Sequence, residues 1–196
     1  MTEQQIMNTF LHINPATGVL SPGRFFPTTH CDDRPANMLI DMIVIHGISL
    51  PPGEFGSSYI EQFFCGSLPI AMHPYFATIA TLKVAPHLFI DRLGVITQFV
   101  PFHKRAWHAG LSSFKEKENC NDFSIGIELE GTDDLPYERI QYQVLAPLIA
   151  LLMRTYPAII SERIVGHSDI APNRKTDPGP FFDWMHLKDL LSYLSY

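Results

Sequence analysis

The run Met38-Leu-Ile-Asp-Met-Ile-Val-Ile45 is β-branched, almost continuously apolar, and stops at His46-Gly47. Such a run reads as a buried strand, and the segments that could cover it follow along the chain. Residues 87–91 and 95–100 flank Arg92-Leu-Gly94 and suggest two strands joined by a tight turn. SIGIELE, residues 124–130, alternates as a half-buried strand does, and Ile164-Val165 leads into another short strand. Helices are expected over 59–65, within 74–82, over 137–156 and over 183–194. The longest of them presents Val144, Leu145, Leu148, Leu151 and Leu152, and Pro147 could kink it. Strands mixed with helices give an α/β fold: a single domain with a mixed central β-sheet flanked by helices. Residues 1–36 contain NPATG, SPGR and CDDRP and are expected to form an irregular arm packed on a domain of residues 37–196.

Composition removes several function classes. At 196 residues and 46% apolar, the chain can bury a real core. Fourteen Lys and Arg against 20 Asp and Glu leave a net charge of −6, so no nucleic-acid partner is expected. The apolar run 145–153 is far short of the ~20 residues that span a bilayer, so no membrane partner is expected either. The opening MTEQQIMNTF carries no basic region of a secretory signal, which points to a cytoplasmic protein. Three cysteines with no CxxC spacing agree with that compartment. Cys65 is expected to pack in the apolar YIEQFFCG stretch, and Cys31 and Cys120 to lie in polar loops without a role.

Polar chemistry is concentrated where apolar strands stop. His46 and His167 both follow or precede glycine at a strand end, a rigid place where backbone or ligand can come close. Asp177 is pinned by Pro178, Gly179 and Pro180. Two histidines and one carboxylate would leave a tetrahedral Zn²⁺ one open position, as catalytic sites do. The same donor set also serves non-haem iron, so spacing alone leaves the metal open. In SIGIELE, Ile125, Ile127 and Leu129 can face the core while Gly126, Glu128 and Glu130 share the other side, with glycine leaving room above Glu128. Either glutamate could then act as general acid and base. If RKTDPG is extended, Lys175 projects to the same side as Asp177.

The strings VIHGISLPPGEFG, MHPYFATIATLKVAPH, VPFHKRAWHAG, CNDFSIGIELEGTD and GHSDIAPNRKTDPGPFFDW resemble the zinc-dependent N-acetylmuramoyl-L-alanine amidases. Within that family the likeness is to the cytosolic enzymes of 1,6-anhydro-muropeptides, and it runs over about residues 24–184. The resemblance implies the fold shared with peptidoglycan recognition proteins and one zinc ion per chain. It implies zinc ligands at His46, His167 and Asp177, an acid/base at Glu128, and stabilisation of the tetrahedral intermediate by Lys175. The implied substrate is a small soluble muropeptide, cut between N-acetylmuramic acid and L-alanine during peptidoglycan recycling. No obligate protein partner is implied. A module of the same fold that binds muropeptides without cutting them is the alternative, and it would need neither the acid nor the lysine. Gly47 stands where an asparagine is expected in close relatives, and Lys83 where an arginine is expected; both bear on the substrate groove.

The remaining candidates are expected to be structural first. His73, His87 and His108 could line the groove but are read as hydrogen-bonded supports. Asp169 could accept from a ligand histidine. Trp107 and Phe102 could stack on a sugar ring, although packing is their default. Glu130 is expected to be a structural or solvated partner of Glu128.

Overall fold

The computed structural model describes residues 11–194, so the opening MTEQQIMNTF lies outside the described residues. The early strands are β1 (His12–Ile13), β2 (Leu20–Ser21), β3 (Arg24–Phe25) and β4 (Cys31–Asp33). They are followed by β5 (Met42–Ile48), β6 (Leu88–Ile90), β7 (Ile96–Gln98) and β8 (Lys104–Ala106). The last are β9 (Ser113–Phe114), β10 (Lys117–Glu118), β11 (Ser124–Glu130) and β12 (Ile164–Gly166). Six of them form the central sheet, in the order β12-β5-β11-β6-β7-β3. The first four in that order run parallel, β7 is antiparallel to β6, and β3 is parallel to β7. The mixed sheet expected from the sequence is present.

One face of the sheet carries most of the core. Ile43 and Ile45 of β5 cluster with Ile125, Ile127 and Leu129 of β11 and with Val144, Leu145, Leu148 and Leu152 of the helix Arg139–Thr155. Burying each such side chain contributes about 1.5–3 kcal/mol before entropy is counted. Gln141 fixes the start of that helix by accepting the Glu138 N–H on Oε1 at 2.9 Å. The helix continues through Pro147, and the C-terminal helix Trp184–Leu194 packs beside it through Leu187. The other face has two smaller clusters. Met42 and Val44 meet Cys120, Phe123 and Ile170, while Phe89 and Phe99 meet Ile60, Phe63, Phe64 and Phe76. On the same side stands a row of imidazoles, His46, His108 and His87, with centroids 5.0 and 5.8 Å apart.

Four expectations change. The strand expected from Met38 begins at Met42 and runs through His46 to Ile48, so His46 lies inside it. Leu39 is 70% exposed, and the Asp41 carboxylate accepts from Arg163 and Lys117. An ion-paired aspartate belongs at the rim of a sheet, and the buried strand therefore starts after it. The segment 11–36, expected to be irregular, contains four short strands, of which β3 completes the sheet edge. Strands of two or three residues are too short to show an alternation in sequence. Arg34, at the end of this segment, donates to the carbonyls of Phe102, Asn121, Asp122 and Ser124. Cys120, expected in a polar loop, is fully buried against the sheet.

Candidate active site

β5 and β11 are parallel neighbours, and their register sets Glu128 beside His46. Residues paired in this way share a face, so both leave the sheet on the side away from the long helix. β12 ends at Gly166, and His167 opens the short helix His167–Ile170. Asp177 returns on the loop that follows, tied by its carbonyl to the Ser168 N–H at 2.9 Å. The result is a triangle. His46 Nδ1, His167 Nδ1 and Asp177 Oδ2 stand 2.9, 3.1 and 3.2 Å apart.

These residues form a group that can hold a metal ion. Donors at 2.0–2.1 Å from a tetrahedral ion stand about 3.3 Å from one another, so the triangle fits with small relaxation. The outer nitrogens of both rings are engaged elsewhere, which turns the inner ones toward the common point. His167 Nε2 meets the Ala109 carbonyl at 3.1 Å, and His46 Nε2 meets His108 Nδ1 at 2.9 Å. Burial pushes the His46 imidazole down to about 4, which keeps it neutral with a free lone pair. Burial also opposes charge on Asp177. The ring nitrogens of His167 and His46 beside it outweigh that and hold the carboxyl well below the usual carboxylate range.

The triangle opens on a groove of about 860 Å³, lined by Leu50, Phe63, Phe64 and Ile79 and by Asp133, Asp134, Glu128 and Lys175. Glu128 Oε2 is buried with no hydrogen-bond partner. Burial, then the charge of Asp177, raises the Glu128 carboxyl well above its ordinary value, and Lys175 pulls it the other way. A carboxyl raised in this way holds a proton more readily than an exposed glutamate does. Glu130 is different. It is 2% exposed, and its two oxygens accept the backbone N–H groups of Gly56 at 2.6 Å and Arg92 at 3.1 Å. Both acceptors are used to tie loops, as its structural expectation requires.

A family model described as N-acetylmuramoyl-L-alanine amidase matches residues 35–180. The chain belongs to the N-acetylmuramoyl-L-alanine amidase family. Over 175 residues it is 52% identical to the 1,6-anhydro-N-acetylmuramyl-L-alanine amidase AmpD of Escherichia coli K12, covering 89% of this chain and 95% of that one. A crystal structure of a Se-Met AmpD derivative superposes with a TM-score of 0.88 at 51% identity, covering 92% of this chain and 99% of the other. The E. coli amidase AmiD, solved as a complex with anhydro-N-acetylmuramic acid-L-Ala-D-gamma-Glu-L-Lys, superposes at 0.57 with 30% identity. That match covers 80% of this chain and 60% of AmiD. The single-domain amidase fold expected from the sequence is therefore the one present.

Within this amidase, the structure sorts the other candidates. His108 lines the groove and touches His46, and its ring occupies the space above Gly126. A Cβ on Gly126 would lie 2.4 Å from His108 Cγ, so the room expected above Glu128 belongs to His108. An interior glycine in a strand was the available signal for such a close approach. Gly47 similarly seats Tyr137: a Cβ there would be 2.1 Å from the phenol oxygen, which donates to the Pro178 carbonyl at 3.0 Å. His87 is buried and accepts the Gly126 N–H on Nδ1 at 3.0 Å. His73 accepts the Tyr75 N–H. Asp169 caps its own helix by accepting the Gly166 N–H at 2.7 Å, and the acceptor facing His167 is the Ala109 carbonyl. Trp107 donates to Asp32, Phe102 is fully buried, and Lys83 is exposed between the groove-lining Leu82 and Val84.

Among the described residues, no helix is long and apolar enough to cross a membrane.

Proposed function

We propose that this amidase cuts the bond between 1,6-anhydro-N-acetylmuramic acid and L-alanine in soluble muropeptides, with one Zn²⁺ held by His46, His167 and Asp177. The observation that carries the reading is the convergence of those three donor atoms beside an unpartnered Glu128 oxygen in a groove that also holds Lys175. The names of the AmpD relatives support the anhydromuramyl substrate, and the AmiD complex supports a muropeptide seated in this kind of groove. Action in the cytoplasm, on fragments released during peptidoglycan recycling, belongs to the same proposal and rests on the resemblance.

When bound, zinc acidifies a water molecule toward neutrality and polarises the scissile carbonyl. Glu128 takes the proton of the attacking water and returns it to the departing alanine nitrogen. The Lys175 ammonium faces the oxygen that becomes negative. Asp177 serves as the anionic donor, since the charge of a bound cation would favour its carboxylate. Glu130 stays out of the chemistry and keeps the Gly56 and Arg92 loops in place.

The test is direct. Purified protein should carry about one zinc per chain, release free peptide from anhydromuramyl tripeptide by mass spectrometry, lose that activity to a chelator and regain it with zinc. Full turnover by the stripped protein would refute the metal assignment. Equal or faster cleavage of intact sacculi would remove the recycling substrate and leave the amidase chemistry standing.

A further inference from the structure

We infer that the two-residue segment His108-Ala109 is a clamp that orients both metal-facing histidines by their outer nitrogens, with Asn121 as the residue that fixes the clamp. The inference rests on the proposed zinc site and goes beyond its ligands.

The chain of protons can be followed atom by atom. Ser124 Oγ lies 2.5 Å from the Cys120 carbonyl, which can only accept, so the hydroxyl proton lies on that bond. The same oxygen then accepts from His108 Nε2 at 3.1 Å, which places the His108 proton on Nε2. His108 Nδ1 is left as an acceptor, and it takes the proton of His46 Nε2 at 2.9 Å. His46 Nδ1 is thereby left with its lone pair toward His167 and Asp177. The adjacent residue performs the same service for the second ring. His167 Nε2 donates to the Ala109 carbonyl at 3.1 Å, which leaves His167 Nδ1 facing inward.

The segment itself is gripped from outside the site. Asn121 Oδ1 accepts the backbone N–H groups of His108 and Ala109 at 3.1 and 2.8 Å. Arg174 Nη2 donates to the carbonyls of Ala109 and Leu111 at 2.6 and 2.7 Å. Gly126 allows the His108 ring to lie flush on β11, because any β-carbon there would strike it. Outer partners of metal-bound histidines set their tautomer and direction, and losing one costs about 10–100-fold in metal affinity. His108 and Asn121 are positioning residues in this scheme.

Zinc affinity, measured by competition with a chromophoric chelator, tests the clamp without using activity. His108→Phe keeps a ring above Gly126 and removes both nitrogens, and should bind zinc about 10–100-fold more weakly while remaining folded. His108→Asn restores an acceptor toward His46 and should recover much of that loss. Asn121→Ala should weaken zinc binding less, and Asn121→Asp, which keeps the acceptor, should restore it. Wild-type affinity in folded His108→Phe would overturn the clamp. The tautomer is read independently in the wild type, from long-range proton–nitrogen correlations of the zinc-loaded imidazoles. Protons on Nε2 of both His46 and His108 support the clamp. A proton on His46 Nδ1 overturns it, even should every variant fail to fold. A wild-type protein that binds no zinc would refute the zinc site itself, a result distinct from a tight site indifferent to His108.

Discussion

β11 has two faces that obey the same geometry and different rules. Ile125, Ile127 and Leu129 point into the large cluster beneath the long helix, while Gly126, Glu128 and Glu130 point the other way. On the first face each residue has many apolar neighbours, so a smaller side chain loses a few contacts and leaves a small cavity. On the second face the contacts are few and specific. Gly126 meets His108, Glu128 Oε2 meets none, and Glu130 meets two backbone N–H groups. The contrast teaches that stability on this strand is spread over many contacts, whereas the chemistry proposed for it rests on a few atoms.

Substitutions on the two faces can break that contrast or sharpen it. The largest effect is expected at Glu128→Gln, which should keep the fold and lose ~10²-fold or more in kcat, because an amide cannot take and return a proton. A circular dichroism melt and zinc analysis beside the kinetics would separate lost chemistry from lost structure. If this variant sheds its metal, Glu128 is a ligand and the triangle must be redrawn. Lys175→Ala, across the groove, should follow with a loss of about 10²–10³-fold in kcat and unchanged zinc, if its ammonium acts as other oxyanion donors do.

The control on the polar face is Glu130→Gln. One backbone N–H loses its acceptor, so thermal or denaturant unfolding should report about 1–2 kcal/mol less stability, with kcat within a few-fold of wild type. An inactive Glu130→Gln beside an active Glu128→Gln would reverse the roles assigned to the two acids. Ile127→Val on the apolar face should have the smallest effect, about 0.5–1.5 kcal/mol of stability with kcat, KM and zinc unchanged. A catalytic defect there would mean that the two faces are coupled through the strand.

Much of this was legible before any coordinates. The alternation in SIGIELE placed Ile125, Ile127 and Leu129 on the core side and both glutamates on the other, as found. The hairpin, with its turn at Asp91 to Gly94, and the long helix lie where their patterns put them, with ends moved by one to two residues. The apolar run misled at its start, since hydrophobicity alone ignores that Asp41 is committed to Arg163 and Lys117. His108 is the hydrogen-bonded support expected and also lines the groove, but the ring it supports is not readable from the sequence. A histidine in AWHAG has no local pattern, and its position is explained only by Gly126 and Ser124 on another strand.

By itself the sequence determined which side of each strand is apolar, and it supplied the residue types of an amidase site with motifs that resemble the family. Those are local properties: the direction of a side chain along a strand follows a period of two and needs no knowledge of neighbours. Tertiary structure decided the rest. It brought His46 to His167 across 121 residues, gave Glu130 the Gly56 and Arg92 N–H groups that leave Glu128 as the acid with an unpartnered oxygen, and set Tyr137 against Gly47. Which acid keeps an open lone pair, and which nitrogen of a ring faces inward, depends on hydrogen bonds to distant backbone and side chains. Only the folded register brings those partners within reach.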